Sequence, residues 1–243
     1  MHKQVESNPP EYYEFYNNEG YPVEPKRIFV EIANMIEAAQ IPCGKRFLDI
    51  GCANGAFTAY LKSRFPENDF MGIDVFDEML AQCRGAIPNA TFENASILDL
   101  PQNYTEKFDI VTCVGVLMMF DESTMPIALR NIVRCVRRGG KAFTMSIFND
   151  SGVDTITRWR HRMGGKLSEW VIDRNIFSLQ TISEIVNTVD IPHTFHKFDI
   201  DINLPETDDP RRGYTVRLNE NPRQQINGLR QLIDMYILEI TKP

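Results

Sequence analysis

The sequence predicts an α/β fold in which helices cover both faces of a doubly wound, mostly parallel sheet. Between residues 26 and 148, segments with helical periodicity alternate with short apolar strands, and this alternation is typical of a parallel sheet. Prolines and glycines separate the segments: Pro25 favours a helix start, whereas Pro66 and Gly139-Gly140 favour helix ends. No repeat or low-complexity segment interrupts the series. A single domain spanning residues 1–243 is therefore expected.

The elements of this region follow one another with clear boundaries. A first helix is predicted from an apolar stripe at helical spacing, formed by Ile28, Ile32, Met35, Ile36 and Ala39. Short runs of apolar residues predict strands over 46–50, 70–73, 91–93, 108–114 and 141–148. The helices between them are predicted to carry Phe57 to Phe65, Asp77 to Gly85, and Pro126 to Val136.

The last third of the chain is less regular. Residues 181–184 resemble a capping box, which predicts a helix reaching about Thr188. Residues 193–202 and 235–240 are strand-like, and the segment 204–234 between them is rich in Pro, Asp, Asn and Arg. The sequence therefore predicts a C-terminal antiparallel hairpin that bears an insertion.

Composition and charge limit the classes of partner. The formal net charge is −7 and the pI about 5.2, which argues against a nucleic-acid-binding face. The densest basic cluster, Arg134, Arg137, Arg138 and Lys141, is interpreted as cations at the negative end of a helix dipole. The five scattered cysteines form no CxxC pair, which disfavours disulfides and a metal site. The apolar stretch 110–120 is too short to span a bilayer, and no apolar leader begins the chain, so a cytoplasmic protein without a membrane partner is expected.

The first strand runs into a glycine-containing loop that predicts a nucleotide site. Residues 49–55 read Asp-Ile-Gly-Cys-Ala-Asn-Gly, and Asp74 ends the next strand. Glycines let a ligand approach the backbone, and an acid at this distance suits the hydroxyls of a ribose. The loop lacks the middle glycine of the dinucleotide fingerprint and the lysine of a phosphate-binding loop. A ligand with ribose but without phosphate is favoured.

These residues resemble the class I S-adenosylmethionine-dependent methyltransferases. The loop with its strand is similar to the first motif of that family, Met71 to Val75 to the second, Phe108 to Leu117 to the fourth, and Leu129 to Gly140 to the turn before strand five. The similarity covers about residues 45–148. It implies a Rossmann-like, seven-stranded, mostly parallel sheet and S-adenosylmethionine as cofactor. It also divides the chain into an aromatic N-terminal segment with the first helix (1–44), a cofactor-binding core (45–148) and acceptor-pocket and C-terminal strand elements (149–243).

The resemblance implies roles for particular residues. Asp49 would lie near the amino-acid part of the cofactor, Asp74 would bind the ribose hydroxyls, and Ser96 stands where the family often has an acid at the adenine. The remaining residues implied at the cofactor are Gly51, Cys52, Ala53, Asn54, Gly55, Val75, Phe76, Ile97, Val114 and Gly115. Cys52 is interpreted as a packing residue and not as a nucleophile.

Methyl transfer from a sulfonium requires alignment above all, and a general base only where the acceptor must lose a proton. His161 is the first candidate base, and Tyr13 and Tyr16 are candidates to contact the acceptor. His193 and His196 are assigned structural roles. Four arginines after the fifth strand are interpreted as holding an anionic acceptor or as solvated charges: Arg158, Arg160, Arg162 and Arg174.

The predicted function is O- or N-methylation of a small molecule, such as a saccharide or another small metabolite. A cofactor-binding module without catalysis and a nicotinamide-dependent oxidoreductase on a related fold are the alternatives. The oligomeric state, monomer or homodimer, stays open.

Overall fold

The computed structural model describes residues 24–160, 162–163, 165–207, 213–217, 223–229 and 231–243. The helices are α1 (Arg27–Ala38), α2 (Ala56–Arg64), α3 (Asp77–Ala86), α4 (Met125–Cys135) and α5 (Leu179–Asn187). The longer strands of the first part are β1 (Arg46–Ile50), β2 (Asp69–Asp74), β3 (Ala90–Asn94), β4 (Phe108–Val114) and β5 (Val136–Asn149). The later strands are β6 (Arg158–Trp159), β7 (Arg162–Met163), β8 (Lys166–Leu167), β9 (Val171–Ile172), β10 (Phe177–Ser178), β11 (His193–Phe198), β12 (Gly213–Val216), β13 (Gln224–Asn227), β14 (Leu232–Ile233) and β15 (Met235–Thr241).

The central sheet has the strand order β3-β2-β1-β4-β5-β15-β11. The five strands from β3 to β5 run parallel, whereas β15 is antiparallel to both of its neighbours. The short β10 adds an eighth strand by pairing in parallel with the end of β5, which the sequence did not predict. The predicted α/β class with a mostly parallel sheet is confirmed. Because the order reverses at β1, the carboxyl ends of β1, β2 and β4 open onto one shared crevice.

Alternate residues of each strand face opposite layers of helices. On one face, α1 and α2 pack against apolar side chains that include Phe47, Ile110 and Phe143. On the other face, α4 and α5 pack against a second set that includes Leu48 and Val111. Both layers are fully buried at their centres, which is why these strands are apolar on both faces and not alternating.

Three boundaries differ clearly from the predicted ones. Strand β11 ends at Phe198 and not at Ile202. Strand β5 begins at Val136 and not at Lys141, and its pairing with β4 shifts register between Phe108 and Ile110. Helix α5 begins at Leu179, and its cap is Ser178, whose Oγ accepts a hydrogen bond from Thr181 N at 3.2 Å. The predicted capping box therefore lies one turn inside the helix. Ser178 was missed because both serine and threonine satisfy the same cap pattern.

The interpretation of the basic cluster as a helix-end charge is wrong for Arg137. Helix α4 ends at Cys135, and Arg137 Nη1 lies 3.0 Å from Asp109 Oδ1. The other oxygen of Asp109 accepts a hydrogen bond from Arg46 N at 2.9 Å, and Lys45 Nζ lies 3.6 Å away. Asp109 thus joins the starts of β1, β4 and β5 at the amino-terminal edge of the sheet.

Replacing Asp109 by alanine is expected to lower the free energy of unfolding by about 1–3 kcal/mol, because the amide of Arg46 loses its acceptor in a largely buried place. Urea denaturation of wild type and variant measures the change. Asp99→Ala, at an exposed position, is the matched control and should change the value by less than about 0.5 kcal/mol. Equal effects of the two substitutions would contradict a structural role of Asp109.

Candidate functional site

The loop after β1 is held by the end of β2. The amides of Gly51 and Cys52 both donate to the carbonyl of Ile73, at 2.8 and 3.0 Å. Gly51 has a φ of 71°, and a Cβ at this position would collide with the side chain of Val116. Glycine is therefore required here both by the backbone conformation and by the close approach of the loop after β4.

Asp74, the last residue of β2, extends this attachment through its side chain. Its Oδ2 accepts a hydrogen bond from Ala53 N at 2.8 Å, and its Oδ1 accepts one from Phe76 N at 3.2 Å. Burial raises the pKa of Asp74, and the backbone hydrogen bonds act in the opposite direction. Each oxygen still has a lone pair available after these bonds, so the carboxylate can accept further donors from a ligand.

Asp49 lies at the end of β1, buried behind the loop. Thr58 Oγ1 donates to its Oδ2 at 2.7 Å, and Thr112 Oγ1 donates to its Oδ1 at 2.9 Å. Burial raises the pKa of Asp49 from its ordinary 3.8 to about 6, although both hydroxyls favour the charged form. At neutral pH a negative charge is consequently held beneath the loop, where it would stabilise a cationic ligand.

The loop ends at Gly55, where helix α2 begins. Gly55 has a φ of 81°, and a Cβ there would lie 2.6 Å from Ile87 Cδ1 and 2.9 Å from Cys83 Sγ. Asn54 Oδ1 accepts a hydrogen bond from Ala56 N at 3.2 Å, in the first turn of α2. The end of the loop thereby packs between α2 and α3, and contacts within the protein itself fix its path.

Cys52 packs inside the loop. Its thiol lies against that of Cys83, whose Sγ donates to Ala53 O at 3.2 Å. The contact with Cys83, then burial, raise the pKa of Cys52 well above its ordinary value. The thiol stays protonated at neutral pH, and these contacts agree with the predicted packing role.

The ends of β3 and β4 complete the crevice. Ser96 Oγ accepts a hydrogen bond from Leu98 N at 3.2 Å, and Ile97 is buried beside it. Val75 and Val114 are half-buried, and Phe76 is buried. Gly115 has a φ of 75°, and a Cβ there would meet no atom within 4 Å, so the space in front of its backbone is open. The residues predicted at the cofactor are therefore gathered along one edge.

The three predicted catalytic residues, His161, Tyr13 and Tyr16, lie outside the described residues. His193 Nε2 is 3.0 Å from Ser183 Oγ, and His196 Nε2 is 3.0 Å from Glu239 Oε2. These contacts lie between α5, β11 and β15 and agree with the structural roles assigned to both residues. Among the described residues, no group of three or more His, Cys, Asp or Glu side chains is arranged as metal ligands would be.

Sequence reasoning missed the two threonines that hold Asp49. Thr112 is the single polar residue in the buried run from Ile110 to Cys113, and Thr58 is fully buried on α2. A hydroxyl at a buried strand position needs a hydrogen-bond partner, so this signal was present in the sequence. Their partner could be assigned only once β1 and β4 were known to be neighbours.

The pH dependence of stability tests the environment of Asp49. Its pKa is raised in the folded state, so the folded protein binds the proton more tightly, and the free energy of unfolding falls as pH rises from about 4 to 6. The contribution is about 3 kcal/mol, fully lost above pH 6. Asp49→Asn should lack this contribution while keeping that of Asp74. Urea denaturation between pH 4 and 7 measures it, and parallel profiles of wild type and variant would contradict the assignment.

Sequence comparison identifies relatives of this site. A family model described as a methyltransferase domain matches residues 47–140. The putative methyltransferase 235L of Invertebrate iridescent virus 6 is 31% identical over 83 residues, covering 34% of this chain and 31% of the viral protein. The trans-aconitate 2-methyltransferase of Acidovorax sp. strain JS42 is 38% identical over 58 residues, 24% of this chain and 22% of the enzyme. The tRNA U34 carboxymethyltransferase of Campylobacter hominis is 30% identical over 152 residues, 59% of this chain and 48% of the enzyme.

Structural comparison shows the same fold over nearly the whole chain. A S-adenosylmethionine-dependent methyltransferase from Clostridium acetobutylicum superposes with a TM-score of 0.61 at 13% identity, covering 96% of this chain and 99% of the other. A TehB-like methyltransferase from Corynebacterium glutamicum has a TM-score of 0.57 at 18% identity, covering 97% and 100%.

The sequence matches cover less than half the length of each of the three curated relatives. The family-model match contains the glycine loop and the strands around it. These similarities support the predicted resemblance to S-adenosylmethionine-dependent methyltransferases. Residues 47–140 are thus similar to a methyltransferase domain, and the fold is that of solved S-adenosylmethionine-dependent methyltransferases.

Proposed function

We propose that this protein transfers the methyl group of S-adenosylmethionine to a small-molecule acceptor. The observation that carries the proposal is a pair of buried acids, Asp49 and Asp74, on either side of the loop after β1. The space in front of Gly115, in the loop after β4, is open. Asp49 suits a cationic group, and Asp74 suits the neighbouring hydroxyls of a ribose. The loop sequence lacks the lysine of a phosphate-binding loop. This combination fits a ligand with a ribose, an ammonium and a sulfonium.

Different residues of the site would bind different parts of the cofactor. Asp74 would accept hydrogen bonds from the ribose hydroxyls while it keeps the amides of Ala53 and Phe76. Asp49 would stabilise the cationic amino-acid end from below the loop. Val75, Phe76, Ser96 and Ile97 would surround the adenine, and Ser96 keeps a donor proton because its oxygen is the acceptor for Leu98 N. Bound S-adenosylmethionine supplies an activated methyl group, and the protein supplies alignment and exclusion of water.

A small-molecule acceptor is favoured over RNA by charge. The chain carries a net charge of −7, whereas binding to an RNA backbone relies on neutralising phosphates with Lys and Arg. The relatives named for trans-aconitate act on a small organic acid, and the one named for tRNA acts on RNA. The segment 149–234 that would build the acceptor pocket lies outside the family-model match. We place the reaction in a reducing cytoplasm, consistent with the free thiols of all five cysteines.

The roles of His161, Tyr13 and Tyr16 at the acceptor stay part of this proposal. A base is needed only if the acceptor loses its proton near the transition state. His161 would serve that purpose for a hydroxyl acceptor, and the tyrosines would orient the acceptor by hydrogen bonds.

Calorimetric titration with S-adenosylhomocysteine tests the cofactor site. Asp74→Ala should weaken binding by about 10- to 100-fold, because two charge-assisted hydrogen bonds to the ribose are lost. Asp74→Asn keeps one acceptor oxygen for the loop and should give an intermediate loss. Asp77→Ala, an exposed acid in the first turn of α3, is the matched control and should bind as wild type does.

The acceptor is tested with methyl-labelled S-adenosylmethionine, offered with a deproteinised metabolite extract or with total RNA. We expect label in small molecules and not in acid-precipitable RNA. Folded protein that binds no S-adenosylhomocysteine would contradict the cofactor site, and binding of NAD in its place would favour an oxidoreductase. Binding of S-adenosylhomocysteine without transfer of label to any acceptor would favour the alternative of a cofactor-binding module without catalysis.

A further inference from the structure

Arg174 is held in an unusual backbone conformation at the carboxyl edge of the sheet. Its φ is 62°, in the left-handed region that is uncommon for a residue other than glycine. The next residue, Asn175, is fully buried. Its backbone N donates to Met118 O at 2.9 Å, and its side-chain Nδ2 donates to Phe120 O at 2.9 Å. Asn175 Oδ1 accepts a hydrogen bond from Thr157 N at 2.8 Å. Arg174 is thereby fixed to the loop that follows β4.

A second segment fixes Arg174 from the other side. Gln231 Nε2 donates to Thr157 Oγ1 at 2.8 Å and to Arg174 O at 3.3 Å. Gln231 is in turn held by Asn227, whose Oδ1 accepts from Gln231 N at 3.1 Å and whose Nδ2 donates to Gln231 Oε1 at 2.8 Å. Two segments, 150–176 after β5 and 199–234 between β11 and β15, are called the insertions here. Thr157, Asn175, Asn227 and Gln231 form an amide network that joins both insertions to the loop after β4. The strained backbone of Arg174 lies inside this network, where its cost is offset by the surrounding hydrogen bonds.

The guanidinium of Arg174 has weak partners. Its Nη1 donates to the thioether sulfur of Met118 at 3.4 Å, and sulfur is a weak acceptor. Its Nε is buried and lies 3.5 Å from Asp173 Oδ2 without making a hydrogen bond. In the part of the chain that the structure describes, no oxygen accepts a hydrogen bond from this group, although 70% of the side chain is covered, since its relative exposure is 30%. A guanidinium has five donors, and covered donors without acceptors are costly.

The neighbouring arginines are engaged differently. Arg160 stacks its guanidinium on the ring of Trp170, 4.7 Å from the centroid, and Arg162 Nη1 donates to Gly165 O at 2.8 Å. Both residues are exposed. Arg174 is set apart from them by its greater burial, by its fixed backbone and by a buried Nε that makes no hydrogen bond among the described residues.

Arg174 lies beside the loop that follows β4, at the carboxyl edge of the sheet. Met118, which its Nη1 contacts, follows Gly115 by three residues and packs with Ile147, near the end of β5, and with Ile233. The open space in front of Gly115 and the guanidinium therefore flank the same short loop.

We propose that Arg174 binds a carboxylate of an anionic acceptor and so determines the substrate class of the methyl transfer proposed above, on which this inference rests. A planar carboxylate matches two parallel N–H donors of a guanidinium. The adjacent Asp173 partly neutralises the site, so a singly charged carboxylate is favoured over a doubly charged phosphate ester.

The test separates acceptors by charge. A deproteinised cell extract is split on an anion-exchange resin into retained and unretained fractions, and each is incubated with wild-type protein and methyl-labelled S-adenosylmethionine. The acceptor is expected in the retained fraction, and hydrolysis of retained material with phosphatase should leave its acceptor activity unchanged. Label transferred only to the unretained fraction, or acceptor activity destroyed by phosphatase, would overturn the assignment of a carboxylate.

Variants then locate the site on the protein. With the retained acceptor, Arg174→Gln should raise KM by about 10- to 100-fold and leave kcat within a few-fold, because the lost contact would bind the acceptor equally in the ground state and the transition state. Arg174→Lys should recover part of the affinity, since it keeps the charge without the fork. Lys166→Gln, which removes an exposed charge from the same insertion, should leave KM unchanged.

The binding of S-adenosylhomocysteine to each preparation is measured in parallel and should be equal in all of them. Equal KM values for Arg174→Gln and Lys166→Gln would overturn the role of Arg174 while leaving the proposed methyl transfer intact. Failure of wild-type protein to transfer label from either fraction would instead overturn the methyl transfer, and this inference with it.

Discussion

The attachment of the glycine loop to the end of β2 is the constraint on which the site depends. Ile73 offers one carbonyl to two successive amides of the loop, and Asp74 offers its carboxylate to a third. These three bonds join the loop after β1 to the end of the neighbouring parallel strand β2, so they fix the loop relative to the crevice. The glycines follow from this geometry: Gly51 must approach Val116, and Gly55 must approach Cys83 and Ile87. A loop organised in advance loses little conformational freedom when a ligand binds.

Two buried acids so close to one loop are destabilising for the fold and useful for binding. Burial raises the pKa of both Asp49 and Asp74, which means that each carboxylate is less stable in its charged form here than in water. Hydroxyls from Thr58 and Thr112 reduce this cost without removing it. A cationic ligand would reduce it further, and its binding would be favoured by the same amount. Perturbed titratable groups of this kind are typical of functional sites, since a purely structural position has no reason to retain them.

The strands of the central sheet and the glycine loop could be predicted from the sequence, whereas the contacts between residues distant along the chain could not, for a physical reason. Strands β1, β2 and β4 are buried on both faces, so their apolar runs are unambiguous, and the loop between Asp49 and Gly55 has a local pattern. Asp109 and Arg137, in contrast, belong to different elements and meet only because β4 and β5 are neighbours, so the arginine was misinterpreted as a helix-end charge. The amide network has the same character. Thr157, Asn175 and Gln231 are distant along the chain, and each alone is typical of an exposed loop.

That network explains how irregular segments can form a specific pocket on this fold. The insertions contain only short strands, and they carry exposed apolar side chains such as Val153 and Trp170, so apolar burial gives them limited support. Their attachment to the loop after β4 instead relies on directional hydrogen bonds from amide side chains, with Asn175 and Asn227 fully buried. Such bonds specify one arrangement more strictly than apolar contacts do, because every buried polar atom must find its partner. The guanidinium of Arg174 differs from the members of this network: its backbone is strained, and its buried Nε makes no hydrogen bond among the described residues. A position maintained at that cost in an otherwise satisfied network is best explained by a ligand that completes it.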